Sequence, residues 1–234
     1  MKQFYFMALA AAFICASAVS SATAQQATPY EVEHQTPGNY KDFRFAIGGG
    51  YAYRLGKVAK TGDSKIDDMN KKLRHGFTID ADGQYFFKES WGLGLNANYC
   101  SANTSGDNIT LLGIDRSVNY KETQSFLYVG PSFVARNESE KFLLVTHFGI
   151  GPLFFNSDMN LSGVNVNGRK TTVGINAGIA GEYKLSAKTG VGLKLSYVMG
   201  TIESLNVEGQ NYKSDEKISV SNLMATVFVS FRSW

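Results

Sequence analysis

Few side chains in this sequence could move a proton or hold a metal. Histidine occurs three times, at His34, His75 and His147. Acid–base or nucleophilic catalysis needs a nucleophile, a base and an orienting group within mutual reach. His34 stands in a polar stretch near the N-terminus and His75 near the edge of an alternating segment. His147 lies mid-segment with no acid near it in sequence. The three are not spaced as zinc ligands are. Asp63, Asp67 and Asp68, and separately Asp215 and Glu216, stand among lysines without the spacing of a calcium loop. Solvated loops account for them. Gly48-Gly49-Gly50 lacks the Lys-Ser/Thr that completes a phosphate loop, which leaves a strand that bends or packs closely. No catalytic set, cofactor or metal is expected.

The remaining candidates are charges set among apolar residues: Arg44, Arg54, Asp80, Asp82, Glu182, Lys184, Lys194 and Arg232. Each falls one residue out of step with aliphatic and aromatic neighbours. Val191, Leu193, Leu195, Tyr197 and Met199 form one face of a period-two segment, and Lys194 and Ser196 belong to the other. Such alternation marks strands. It recurs around Phe43–Leu55, Phe77–Phe87, Trp91–Tyr99, Leu127–Phe133, Phe142–Ile150, Val173–Leu185 and Leu223–Phe231, giving eight strands. Frequent glycine within these runs opposes helix. In the fifth segment (residues 142–155) the second face, Leu143, Val145, His147, Gly149 and Leu153, is hardly more polar than the first, so its register stays open. Pro131 and Pro152 fall inside strands four and five and imply a bulge or a strand end.

Composition narrows the class. The chain has 234 residues, 44% hydrophobic and 13% aromatic, with only four prolines and a formal charge of +3. Disorder and collagen-like structure are excluded, and interspersed charges give no nucleic-acid stripe. A mean hydropathy of −0.15 is too polar for a bundle of membrane helices. Met1-Lys2, the apolar run from Phe4 to Val19 and Ala22-Thr23-Ala24 read as a cleavable export signal over residues 1–24. A polar lead (25–41) follows, and then the strand region (42–234). Cys15 lies in the signal, so the exported part keeps one thiol, Cys100, and no internal disulfide.

Connections carry the topology. Long polar stretches (57–73, 101–118, 157–168 and 204–216) alternate with short ones (88–90, 137–140 and 186–189). Short turns at one rim and long loops at the other are the order of an up-and-down transmembrane barrel. Lipid cannot hydrogen-bond a strand edge, so a sheet crosses a membrane only when closed. The expected fold is therefore all-β: an eight-stranded antiparallel transmembrane barrel with short periplasmic turns and long extracellular loops. Aromatics at the strand ends suit two interfacial girdles. These are Phe87, Trp91, Phe142, Tyr183, Phe231 and Trp234 at the short-turn rim, and Tyr51, Tyr53, Phe77 and Tyr99 at the other. The eight charges then face the lumen, which in a barrel of this size side chains just fill. Centred on Lys188, the last tight turn sets Glu182 opposite Lys194 as an ion pair.

Residues 42–234 resemble the small outer-membrane β-barrel proteins of Gram-negative bacteria, of the OmpA/OmpX type, and most of all the porin-like outer membrane protein β-barrel domain of Bacteroidetes. Tyr128 to Arg136 followed by Phe142 to Phe155 looks like that group's central hairpin. Val227 to Trp234, with Phe231 and the terminal Trp234, resembles the final-strand signal read by the barrel assembly machinery. The resemblance implies an outer-membrane location.

The expected role is structural, or a surface interaction made by the loops, around a plugged polar interior. Expected partners are outer-membrane lipid, lipopolysaccharide near Lys57, Lys60, Lys65, Lys71, Lys72 and Arg74, the assembly machinery, and a surface protein held by the loops, but no nucleic acid. A soluble lipocalin-like barrel for an apolar ligand is the alternative, since it shares the alternation with reversed polarity. A narrow pore and a lipid A-modifying enzyme rank below it.

Overall fold

The computed structural model describes residues 42–56, 64–110, 117–207 and 210–233. The export signal, the lead with His34, and Lys57, Lys60, Asp63 and Trp234 lie outside the described residues. The elements are β1 (Asp42–Arg54), α1 (Ser64–Lys72), β2 (His75–Phe86), β3 (Trp91–Thr110), β4 (Ser117–Glu138), β5 (Phe142–Leu161), β6 (Val164–Lys184), β7 (Thr189–Val207), β8 (Gln210–Ser219) and β9 (Asn222–Ser233).

Each strand pairs antiparallel with its neighbour from β1 to β7, and β9 lies between β7 and β1, closing the ring. The closed sheet has eight staves built from nine strands. β8 is the outer half of the last stave: Ser219 pairs with Thr201, whereas Asn222 of β9 pairs with Val198. The break falls at Val220–Ser221, where the Val220 amide still bonds Gly200 O at 3.0 Å.

Polarity decides between the two barrel types. Leu193 is 69% exposed on the outside, and Arg44 is 1% exposed on the inside. Apolar residues outside and charges inside are the membrane arrangement, and they overturn the lipocalin alternative. Aromatic pairs mark both rims. Trp91–Phe133 (4.9 Å) and Phe142–Tyr183 (5.4 Å) lie toward the short turns, and Phe77–Tyr99 (6.1 Å) toward the other end.

The structure corrects three connections. The stretch 157–168 is not an open loop: β5 runs to Leu161 and β6 starts at Val164, joined by Ser162 (φ 48°) and Gly163 (φ 96°). Two successive residues of positive φ make the tight turn whose twist suits a hairpin. β3, β4, β7 and β8 likewise extend into the stretches expected as loops, and Asp215 and Glu216 belong to β8. Beyond the membrane both faces of a strand meet water, so the period-two signal fades while the ladder persists. At about 3.4 Å per residue, strands of 20–22 residues such as β3 and β4 rise well above an apolar band about 25 Å tall. The first loop also holds a helix, α1, which the sequence reading missed. Asp67 lies in its first turn and Lys71 and Lys72 in its last, in the sense the helix dipole favours, and Met69 is buried.

In β5 the register left open resolves with Leu143, Val145, His147, Gly149 and Leu153 inward. The two prolines share one defect. The β4–β5 ladder runs through Tyr128↔Leu153 and resumes at Ser132↔Gly149 in the same register. Val129–Pro131 and Ile150–Pro152 face each other across the gap. Pro131 still pairs with Leu95 of β3, and Pro152 with Val173 of β6. Proline lacks the amide a ladder needs, so placing both in one gap leaves the rest of the seam continuous. Gly48 and Gly50 pack closely against β9: an added Cβ would sit 2.7 Å from Val227 O and 2.0 Å from Ala225 O.

Candidate functional site

The inward charges sort into three levels. At the short-turn rim, Glu182 is the centre. One of its oxygens, Oε2, accepts from Arg44 Nε (2.9 Å) and Nη2 (2.7 Å). The other, Oε1, accepts from Arg232 Nη2. Arg44 also donates to Gln84 Oε1 at 2.9 Å. Arg136 pairs with Asp42 and donates through Nε to Glu89 O at 2.7 Å. Glu138 joins the two halves, contacting Arg232 (3.5 Å), Arg136 (3.8 Å) and Lys184. Aromatic faces cover the cations: Arg44 lies 5.3 Å from the Phe228 ring and Arg136 4.1 Å from the Phe86 ring. Removing a carboxylate from water costs several kcal/mol. Two guanidinium partners on Glu182 offset that cost through charge-assisted bonds.

The middle level centres on Lys194. Its ammonium donates to both oxygens of Asp82 (2.9 and 2.7 Å) and lies 3.5 Å from Asp80 Oδ1. Asn96 Nδ2 donates to Asp82 Oδ1 at 2.6 Å. Beside it runs a hydrogen-bonded relay: Asn176 Nδ2 donates to Asn98 Oδ1 (2.7 Å), and Asn176 Oδ1 faces His147 Nε2 (3.3 Å).

Above this level the lumen turns apolar. Cys100, Phe126, Tyr128, Leu153, Phe155 and Met224 belong to one buried cluster. Cys100 is a free thiol whose Sγ lies 3.4 Å from Thr78 Oγ1. The third polar level sits on top of this layer. Arg54 stacks on Phe126 and Phe155 (5.3 and 5.9 Å) and donates to Gln124. Glu122 accepts from Gln124 (2.6 Å), Ser157 (2.9 Å) and Tyr120.

The structure therefore brings Arg44, Glu182 and Arg232 into one cluster, and Asp80, Asp82 and Lys194 into another. Lys184 sits at the edge of the first, donating to Ser139 O at 2.7 Å. Arg54 belongs to the outer level, apart from both. The expected Glu182–Lys194 pair is corrected. Glu182 faces Gly192, and Lys194 faces Ala180. Lys184 pairs with Gly190, so the hairpin turns about Ala187 rather than Lys188, and the two side chains become diagonal neighbours drawn to different partners. Sequence reasoning missed Asp42, Arg136 and Glu138, although all three share the inward parity of their strands. It also missed the apolar layer: Phe126, Tyr128 and Phe155 share that parity, but an expectation of a polar lumen passed over them. Phe231, the predicted assembly residue, is half-exposed on the outer face of β9.

The sequence matches the family described as "outer membrane protein beta-barrel domain" over residues 8–231. No curated protein matches the chain. Among solved structures, the fold is similar to a major outer membrane protein from Thermus thermophilus. Identity is 12%, coverage is 83% of this chain and 100% of that one, and the TM-score is 0.52. Weaker matches include Ail, the attachment invasion locus protein of Yersinia pestis, at 12% identity, 82% and 99% coverage and a TM-score of 0.48. The outer membrane protease OmpT from Escherichia coli matches at 10% identity, 83% and 97% coverage and a TM-score of 0.44.

Proposed function

Because this chain belongs to the outer membrane protein beta-barrel domain family, and is an integral barrel of the outer membrane, we propose that it acts as a closed, non-conducting scaffold whose outer hairpins make its specific contacts. The observation that carries this reading is the filling of the lumen. Two ion-paired levels lie below an apolar layer, and a third polar level caps it. An ion would have to cross that layer with only scattered neutral groups such as Thr78 and Tyr128 to meet it, far short of a hydration shell, and a charge so poorly compensated is strongly disfavoured.

Contacts are made at the outer end, where the strands outgrow the membrane. Lys65, Lys71 and Lys72 on α1, and Arg74 after it, outweigh Asp67 and Asp68, of which Asp68 pairs with Lys71 at 2.8 Å, and leave a net positive surface suited to lipopolysaccharide phosphates. Arg74 is held in place by Tyr53 (4.7 Å) and by Arg54 O (3.1 Å). A surface protein bound by these hairpins is the other partner in this proposal. During biogenesis the final strand β9, which carries Phe231 and is followed in sequence by Trp234, is the element the assembly machinery engages.

A non-enzymatic role is part of the proposal. Among the described residues, His147 bonds Asn176 inside the barrel and His75 bonds Tyr51 outside it, and neither meets a Ser, Thr or Cys side chain.

Planar-bilayer recording of the purified barrel tests the scaffold reading. Silence at moderate voltage is expected, and stable ohmic steps would replace it with the pore. Unchanged lipid A in a deletion strain is expected, and an altered lipid A mass would reinstate the enzyme.

A further inference from the structure

We propose that the outer wall carries a site for one anionic phospholipid, at the periplasmic end of β5, β6 and β7. A groove of about 820 Å³ lies there on the lipid-facing surface, within the range of small-ligand pockets. Its floor is Gly181. Register places Leu144, Gly181 and Leu193 side by side on three adjacent strands. A Cβ at Gly181 would meet nothing within 4 Å, so the missing side chain is itself the recess. Tyr183 and Phe142 bound it toward the turns, and Ile179 and Leu195 toward the membrane centre.

The groove commits to an occupant through what stands at its end. Lys141 precedes Phe142, and Lys188 lies in the β6–β7 turn. Both are exposed, and no ion pair engages either one among the described residues. The neighbouring Lys184, by contrast, is held by Glu138 and Ser139. Two free ammonium groups at the membrane–water boundary meet a phosphate, and the apolar recess below meets an acyl chain. From Gly181 to Lys184, where β6 ends, is three residues, about 10 Å of strand, which the upper part of a fatty-acyl chain spans. This end faces the periplasm, so the lipid comes from the inner leaflet. The inference rests on the family's membrane location and stands apart from the scaffold proposal, since a conducting barrel could carry the same groove.

Native mass spectrometry of the full exported chain, released from detergent with dioleoyl phosphatidylglycerol or dioleoyl phosphatidylcholine, tests it. One phosphatidylglycerol is expected to remain per barrel, in preference to phosphatidylcholine. Gly181→Leu fills the recess with its backbone geometry undisturbed. It is expected to weaken retention about tenfold, the equivalent of losing the burial of roughly two methylenes. Lys141→Gln with Lys188→Gln is expected to abolish the preference for phosphatidylglycerol while keeping residual binding. Slower gel mobility after boiling confirms that each variant is folded. Equal retention by folded Gly181→Leu overturns the site, as does a wild-type barrel that keeps no lipid or appears as a pair of copies.

Discussion

Glu182 and Lys194 occupy adjacent strands of the last periplasmic hairpin and share no bond. Glu182 accepts from Arg44 on β1 and Arg232 on β9, whereas Lys194 reaches Asp82 on β2. Both bridges tie the hairpin across the lumen, to strands far from it in sequence. A double-mutant cycle should find little coupling between Glu182→Gln and Lys194→Met. Asp82→Asn with Lys194→Met should couple strongly. Losing Lys194 leaves Asp80 and Asp82 buried without a cation, at a cost of about 3–5 kcal/mol, whereas losing Asp82 costs less because Lys194 keeps Asp80 at 3.5 Å. Urea unfolding of the reconstituted barrel measures all three terms.

Within the triple glycine the three positions are not equivalent. A Cβ at Gly49 would lie 3.6 Å from Thr78 O, an ordinary contact, whereas one at Gly50 would lie 2.0 Å from Ala225 O. Gly49→Ala should keep wild-type stability. Gly50→Ala should lose about 1–3 kcal/mol, the usual cost of overpacking, or fail to close the β1–β9 seam. Gel mobility of unheated samples across a temperature series separates the two outcomes.

Leu95 points outward on β3 and is more than half exposed. Leu95→Arg should destabilise the barrel by about 2–4 kcal/mol in a bilayer, the cost of a cation near the membrane centre. Leu95→Met should change stability by less than about 1.5 kcal/mol. Unfolding in vesicles of phosphatidylcholine gives both values.

The shared gap at Pro131 and Pro152 should show in hydrogen exchange. Peptides spanning Val129–Ser132 and Ile150–Leu153 should exchange faster than the flanking parts of β4 and β5, where the ladder is complete. Uniform protection along both strands would mean that the seam is closed in solution.

Much of this architecture was legible in the residues. Strand number, polarity and closure followed from alternation, because one face meets lipid and the other a packed lumen. The same parity singled out eight charges, yet Asp42, Glu122, Arg136 and Glu138 share it and were passed over. Their partners did not follow from it. Which carboxylate Lys194 reaches depends on the stagger of strands around the ring and on a hairpin centre shifted by one residue, and neither leaves a mark on local periodicity. The outer hairpins were hidden for a different reason. Where water bathes both faces, Ser, Thr and Asn are as suitable in a strand as in a loop, and Asn160 and Asn165 bond each other across such a pair. Helix α1 was hidden by its brevity and by its single buried methionine.

The hairpin tip at Ser162–Gly163 has a practical side. Its two flanking strands are locked in register from Leu161↔Val164 downward, and a Cβ on Gly163 would touch nothing within 4 Å. Chain entering and leaving there is held at adjacent points, well above the lipid, by the paired strands β5 and β6. Exposed loop tips of small or polar residues are where insertions succeed. A foreign peptide spliced between Ser162 and Gly163 would be carried on the cell's exterior by a two-stranded mast, which makes this barrel a vehicle for antigen display.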